Sequence, residues 1–424
     1  MKGEESNGKL SKEVSALHSQ QIKIKMSNNT NHTNPIVTPP TGGQGGSTSV
    51  QGGLQGCSGT RLLAVDILRG MTVMLMILVN NGAGKEIFST LKHSKWDGMT
   101  PCDLVFPFFL FIMGFSIFLS LRKTEFRWSA QTGRKILKRT VLLFVIGLAI
   151  NWFDMACSGS PLDFAHLRVW GVMQRLAICY CAAALLAIAL PHRWMNILTL
   201  LLLAIYSAIL IAGNGYVQDA QVNWLSIADN NLIGNNHLYT KSPVDPEGLV
   251  STISAIAHTL IGFSCARYMS AGGKLKSHAD KALWLLAAGA AIGFAGWLLS
   301  FGLPLNKRIW SPSYVLATCG MAMMALGIII RLVDMTPGKE HNKAASSVIT
   351  LSVAFGTNPL FLYVASEILG IAFGAFGIKD GVYTAIRTVV VNGYWSSLLY
   401  SIAFVALHAV MAVWLWRKRI FVRL

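Results

Sequence analysis

About ten apolar runs of roughly 20 residues follow one another after Arg61, each long enough to cross a hydrocarbon core roughly 30 Å thick. They lie at about 62–81, 104–121, 136–153, 170–190, 194–213, 249–269, 281–302, 313–334, 346–371 and 396–416. Inside a bilayer a chain can satisfy its own backbone N–H and C=O groups only as helices or a closed barrel, and continuous apolar runs of this length are helical. The expected fold is all-α, a polytopic integral membrane helix bundle of about ten transmembrane helices. Composition removes the alternatives. Of 424 residues, 53% are hydrophobic and 13% charged, about half the charged share of an average soluble domain. That excludes a soluble enzyme and a disordered chain.

The net charge of +17 would suit a nucleic-acid partner if the basic residues formed a patch. Instead they flank the apolar runs. With ten spans both termini lie on one side, and that side collects 25 of the 36 lysines and arginines against nine on the other. Positive-inside therefore predicts that the N- and C-termini are cytoplasmic. The expected macromolecular surround is a lipid bilayer, with no nucleic acid.

Residues 1–60 read differently from the rest. Met1 to Met26 is polar with mixed charge, and Thr38 to Thr60 is low-complexity, with Pro39-Pro40 and three Gly-Gly pairs. Such a segment buries too little apolar area to offset its ordering entropy, so a disordered cytoplasmic tail is expected. It holds no apolar signal core, and no cleavable secretory peptide is expected. The seven cysteines are odd in number and contain no C-x-x-C pair, so neither a disulfide framework nor a metal site is expected.

Three non-cytoplasmic segments are long enough to build something: 82–103, 214–248 and 372–395. The first hairpin is the richest in reactive groups. Its first run ends at Asn80-Asn81, the loop holds Lys92-His93-Ser94-Lys95-Trp96-Asp97-Gly98, and the second run opens at Asp103. His93 is the only histidine there, with Asp97 four residues away and Asp103 ten. A neutral imidazole can take a proton from an attacking amine or hydroxyl. An acid beside it can hold its tautomer, and an amide such as Asn80 can hold a carbonyl oxygen. A solvated loop histidine among snorkelling lysines fits the same spacing.

Other polar positions interrupt apolar surroundings. Asp66 and Arg69 share a helix face near the cytoplasmic end of the first run, where an interfacial ion pair also accounts for them. Gln174-Arg175 lies inside the fourth run, where an arginine costs about 2.5–3.5 kcal/mol to insert. Arg175 therefore needs a partner: a carboxylate, helix carbonyls or an anionic ligand such as phosphate. Asp245-Pro246-Glu247-Gly248 suits a helix start or recognition of a hydroxyl or amine. Asn306-Lys307-Arg308 and Asn358-Pro359 are polar breaks, and His258 fits either a ligand or a histidine bonded across helices. Phosphate-loop, H-E-x-x-H, G-x-S-x-G and dinucleotide signatures do not occur in the chain.

Several motifs run in register. They are Val65-Asp66-Ile67-Leu68-Arg69-Gly70, Val79-Asn80-Asn81-Gly82, His93-Ser94-Lys95-Trp96-Asp97-Gly98-Met99-Thr100 and Asp103-Leu104-Val105-Phe106-Pro107. Gly171-Val172-Met173-Gln174-Arg175-Leu176, Asp245-Pro246-Glu247-Gly248, Pro304-Leu305-Asn306-Lys307-Arg308-Ile309-Trp310 and Gly356-Thr357-Asn358 continue the series. Together they resemble the heparan-alpha-glucosaminide N-acetyltransferase family and its bacterial relatives, over nearly everything after Arg61.

The resemblance implies that residues 61–424 form a transmembrane acetyltransferase domain with cytosolic acetyl-CoA as co-substrate and a glucosamine-type amine on the far side as acceptor. By motif the family's active-site histidine falls on His93 and a functional asparagine on Asn80. Asp97 or Asp103 is then expected to orient His93 or to bind the protonated amine, and direct transfer and a transient acetyl-histidine both fit the constellation. Arg175, Gln174 and Arg69 are expected near the CoA phosphates, with Glu247, Asn358 and Asn306 on the acceptor. A homodimer is implied in the same way. The chain departs from the animal pattern in its low-complexity tail, in Trp96-Asp97-Gly98 and in Thr100-Pro101-Cys102-Asp103. The last resembles the bacterial branch, so a bacterial inner membrane is the expected location and heparan sulfate is not the expected acceptor. An amino-sugar permease and a membrane O-acyltransferase of an envelope glycan remain the alternative functions.

Overall fold

The computed structural model describes residues 63–239, 241–270, 275, 277–335 and 343–422; the expected tail lies outside them. All regular structure among these residues is helical. The helices are α1 (Leu63–Asn80), α2 (Val105–Arg122), α3 (Ala130–Cys157), α4 (Val172–Ala189), α5 (Met195–Ala212), α6 (Trp224–Ile233) and α7 (Thr252–Ser270). They continue as α8 (His278–Leu299), α9 (Pro312–Ile329), α10 (Lys343–Thr357), α11 (Pro359–Ala375), α12 (Ile378–Val389) and α13 (Gly393–Arg417).

Eight of these elements are long and apolar enough to cross a membrane, and the α10–α11 pair makes nine when counted as one broken span. The expected sixth run, 249–269, is α7, a helix of 19 residues that is less apolar than those eight. Ser254, His258, Thr259 and Ser264 lower its hydropathy, and all four are buried. A helix wrapped by other helices does not have to satisfy lipid, so its polarity is tolerated. The expected ninth run, 346–371, is not one straight helix. It breaks at Asn358-Pro359 with a bend of 84°, because Pro359 has no N–H to continue the α10 ladder.

Two glycine contacts set how closely the central helices approach. A Cβ on Gly70 of α1 would overlap the Ser352 carbonyl of α10, and one on Gly356 would overlap the Asp66 carbonyl. The second contact joins α2 and α7, where a Cβ on Gly114 would overlap the Thr259 carbonyl and one on Gly262 that of Phe111. In a membrane, helix association depends on van der Waals packing, so small residues at a crossing let backbones touch. Phe111, Phe115 and Phe263 fill the space beside the second crossing and are fully buried.

The hairpin between α1 and α2 is pinned against two other segments. Trp96 Nε1 donates to the Tyr216 carbonyl at 3.0 Å, and the Gly98 N–H donates to the Leu305 carbonyl at 2.7 Å. On its other side Arg387 of α12 lies 3.8 Å from Glu86. The expected non-cytoplasmic segments 82–103 and 214–248 therefore meet at one end of the bundle.

Candidate active site

α1 and α2 are antiparallel, so Arg69 near the start of α1 and Ser116 near the end of α2 face each other. Arg69 donates to Ser116 Oγ at 2.9 Å and to Asp66 Oδ1 at 2.8 Å. The hairpin that joins the two helices carries His93 at the opposite end. A single cavity of about 690 Å³ is lined by Arg69, Ser116 and Arg139 and also by Asn80, His93 and Lys307. From Arg69 to Asn80 a helix rises roughly 16 Å, more than half of a hydrocarbon core. Apolar side chains of α1, α2 and α3, among them Met76, Phe109, Met113 and Leu143, form the wall between the two polar ends. The volume is that of a site for a cofactor-sized molecule.

At the His93 end the hairpin folds around Asp103. Its Oδ2 accepts from the Thr100 N–H at 3.0 Å, the Thr100 hydroxyl at 3.0 Å and the Ser94 N–H at 3.2 Å. This closes a capping box on the turn that opens α2. Its Oδ1 lies 2.7 Å from His93 Nδ1. An ionised carboxylate can only accept, so His93 donates through Nδ1 and carries its lone pair on Nε2, with Cys102 Sγ 3.6 Å from that nitrogen. The Lys307 ammonium lies 2.9 Å from His93 Nδ1, 3.4 Å from its Nε2 and 3.4 Å from Asp103 Oδ1, so the carboxylate and the Nε2 lone pair are both within its reach. Cys102 Sγ covers the imidazole at 3.1 Å from Nδ1. The Asp103 carboxylate is fully buried while the His93 side chain is 47% exposed: a buried acid holds a ring that reaches the cavity.

Asn306 places Lys307 without touching the cavity. It is fully buried. Its Oδ1 accepts from the N–H groups of Arg308 at 2.8 Å and Ile309 at 3.2 Å, and its Nδ2 donates to Asp97 Oδ1 at 3.2 Å. Asp97 is thus spent on this turn and makes no contact with His93. Of the two acids expected near the histidine, the structure pairs Asp103 with it.

Several expected ligands are placed elsewhere. Arg175 does not line the cavity. It is fully buried, donates to the Gly248 carbonyl at 2.9 Å and to Ser251 Oγ, and lies over the Trp310 ring at 5.1 Å. Trp310 has φ of 53°, a backbone region that bulky residues rarely adopt, so Arg175 buttresses the turn that follows Lys307. A carbonyl, a hydroxyl and an aromatic face thus partner this membrane arginine through Nη2 and the guanidinium plane, while its Nε and Nη1 have no hydrogen-bond partner. Asn358 is also committed: it donates to the Ile420 carbonyl at 2.9 Å and accepts from the Val422 N–H at 2.8 Å. Gln174 and Arg69 do line the cavity, as does Glu247, which is paired with Arg168 at 2.8 Å.

Two lining residues carry no distinct sequence signal. Arg139 reads as one more basic flank, yet it lines the cavity, lies 4.6 Å over the Tyr180 ring and leaves its Nε without a hydrogen-bond partner. Glu367 sits in an apolar run and accepts from Asn80 Nδ2 at 3.4 Å.

Outside the spans, burial governs the acids of the 214–248 segment. Asp229 is buried with Oδ2 unpartnered, and desolvation pushes its carboxyl up to about 6. Asp245 is pushed up by burial and by neighbouring Glu247, although Arg168 opposes this. The same two carboxylates hold the Arg168 guanidinium above its usual value against the desolvation that lowers it.

The comparisons with known proteins fit this geometry. The family described as heparan-alpha-glucosaminide N-acetyltransferase, catalytic, matches residues 61–241, which include α1 to α6 and the His93 hairpin. Heparan-alpha-glucosaminide N-acetyltransferase of Mus musculus is 30% identical over 382 residues, covering 74% of this chain and 54% of its own length. That of Homo sapiens is 28% identical over 432 residues, covering 85% of this chain and 59% of its own. The chain thus spans a little over half the length of these relatives. By its matched catalytic segment and by both relatives, the chain belongs to the heparan-alpha-glucosaminide N-acetyltransferase family.

Proposed function

We propose that this protein is a transmembrane acetyltransferase that moves the acetyl group of acetyl-CoA from the cytoplasmic side to the amine of a glucosamine-type sugar on the far side. One observation carries the reading: a single cavity has guanidinium groups at one end and a histidine held by a buried aspartate at the other. The excess of basic residues on the side of the arginine end supports a cytoplasmic position for it, where acetyl-CoA is available.

The residues suit that co-substrate. Arg139, with an unpartnered Nε, and Arg69 would hold its phosphates, Gln174 would add an amide, and the apolar wall would take the pantetheine arm. Acetyl-CoA supplies an acetyl group activated as a thioester. The chain's own residues do the remaining work. His93 Nε2 accepts the proton that the sugar amine gives up as its nitrogen bonds the acetyl carbon and the carbon–sulfur bond breaks, and it returns that proton to the leaving sulfur. Asp103 keeps the His93 hydrogen on Nδ1 and stabilises the imidazolium that forms. Asn80 Nδ2 and the Lys307 ammonium face the same end and offset the negative charge that develops on the carbonyl oxygen. Glu247, positioned by Arg168, offers an acceptor for sugar hydroxyls.

The test uses detergent-purified full-length protein with acetyl-CoA and glucosamine, following free CoA and N-acetylated sugar together, beside His93→Ala. Amide product that vanishes in the variant is the expected result. Unchanged turnover in folded His93→Ala removes the central residue, and an ester product from a hydroxyl-bearing glycan makes the chain an O-acyltransferase instead.

A further inference from the structure

Two carboxylates line the cavity, Glu247 and Glu367, and they are in different electrostatic states. Arg168 pairs with Glu247 at 2.8 Å and with Asp245 at 3.4 Å. Glu367 forms no ion pair with a lysine, arginine or histidine among the described residues. Its one side-chain hydrogen bond among them is the 3.4 Å contact from Asn80 Nδ2, a long and neutral one. Glu367 lies on α11, eight residues past the break at Pro359, within a membrane-spanning segment. An acid there is costly and calls for a partner. Asn80 closes α1 at the His93 end of the cavity, so the hydrogen bond fixes Glu367 at that end as well.

We infer that Glu367 is the acceptor-specificity residue of this site, a carboxylate that binds the protonated amine of the incoming sugar before transfer. This rests on the transferase reading and assigns it a discriminating group. An ammonium against Glu367 completes the missing charge pair, and Asn80, already in contact with the carboxylate, brings the bound nitrogen beside the group that holds the acetyl oxygen; Glu367 takes the ammonium's extra proton, which leaves the neutral amine that attacks and gives its next proton to His93 Nε2. A hydroxyl in the same place gains no charge pairing. The site therefore selects an amine over an alcohol at the reacting carbon. Glu247 already has a guanidinium partner in Arg168, whereas Glu367 has no ion pair among the described residues.

The experiment compares wild type, Glu367→Gln and Glu367→Asp as purified full-length protein. Calorimetric binding of glucosamine and of glucose, without acetyl-CoA, reads the assignment independently of turnover. The wild type should bind glucosamine more tightly by about tenfold, as expected for a partly desolvated charge pair. Glu367→Gln should abolish the preference and Glu367→Asp should keep part of it. In turnover, Glu367→Gln should raise the glucosamine KM by a similar factor and leave the acetyl-CoA KM within about twofold. A wild type that binds both sugars equally overturns the proposal, as does a Glu367→Gln protein that keeps the preference or raises both KM values together. A wild type that prefers glucosamine but forms no amide defeats the transferase reading and leaves the amine subsite standing.

Discussion

Replacing Asp103 with asparagine tests the histidine–aspartate pair at the atom that matters. Asp103 receives five donors: His93 Nδ1, the Lys307 ammonium, the Ser94 N–H, the Thr100 N–H and the Thr100 hydroxyl. The amide that Asp103→Asn introduces has one oxygen, and the three loop donors claim it. Its NH2 group then faces His93, so Nδ1 must accept and the imidazole hydrogen moves to Nε2. The ring keeps its position but can no longer take a proton from the amine. Loss of a positioned general base lowers turnover by about 10²- to 10⁴-fold, which is roughly 3–5 kcal/mol of barrier at 1.36 kcal/mol per tenfold. The acetyl-CoA KM should be unchanged, because Arg69 and Arg139 lie at the other end. Breaking one buried acceptor for Lys307 costs about 1–3 kcal/mol of stability, so a thermal melt should still show a folded protein. The assay is CoA thiol release at saturating acetyl-CoA and glucosamine. A folded Asp103→Asn protein turning over within about threefold of wild type would refute the general-base assignment.

Arg175→Met should destabilise the protein by about 1–3 kcal/mol, since Arg175 braces the Trp310 turn, and should leave the acetyl-CoA KM within about twofold; a large KM increase would return Arg175 to the phosphate site. Gly70→Ala should prevent the α1–α10 contact and lower expression and melting temperature sharply, because the Ser352 carbonyl occupies the place of the new methyl; a normal melting temperature would contradict the close crossing. Asp229 has a folded carboxyl pushed up to about 6 from 3.8, so the folded state binds the proton more tightly. Its contribution is fully present below about pH 4 and is lost as pH rises through about 6. Asp229→Asn should therefore match wild-type stability near pH 4 and exceed it at pH 7, and equal melts at both values would contradict the buried charge.

Much of the helical bundle was legible because lipid imposes one rule on every span, and hydropathy reads that rule directly. It says less where protein replaces lipid. The run at 249–269 was expected for its apolar residues, but its buried Ser254, His258 and Ser264 answer to neighbouring helices. The run at 346–371 conceals the break at Pro359, because composition counts apolar residues and not the direction of a helix axis. At the site, His93 and Asp103 stand ten residues apart in one hairpin, close enough to be named together. Asp97 was equally near, and only the fold shows it bonded to Asn306 from a turn more than 200 residues later. The insertion cost of Arg175 marks a demand for partners, and Gly248, Ser251 and the Trp310 ring meet part of it, with Nε and Nη1 left without a hydrogen-bond partner. Arg139 and Glu367 were missed for opposite reasons: one looked like any basic flank, and the other was a single acid in an apolar run.

The claim that one cavity joins the two faces is tested most directly in sealed vesicles. Purified protein is reconstituted with a membrane-impermeant glucosaminide trapped inside, acetyl-CoA is added outside, and internal N-acetylated product is measured for molecules whose arginine end faces out. The expected result is internal amide product with wild type and none with His93→Ala, while acetyl-CoA trapped on the same side as the acceptor yields none. Product formed only when both substrates share one side would contradict transfer across the membrane.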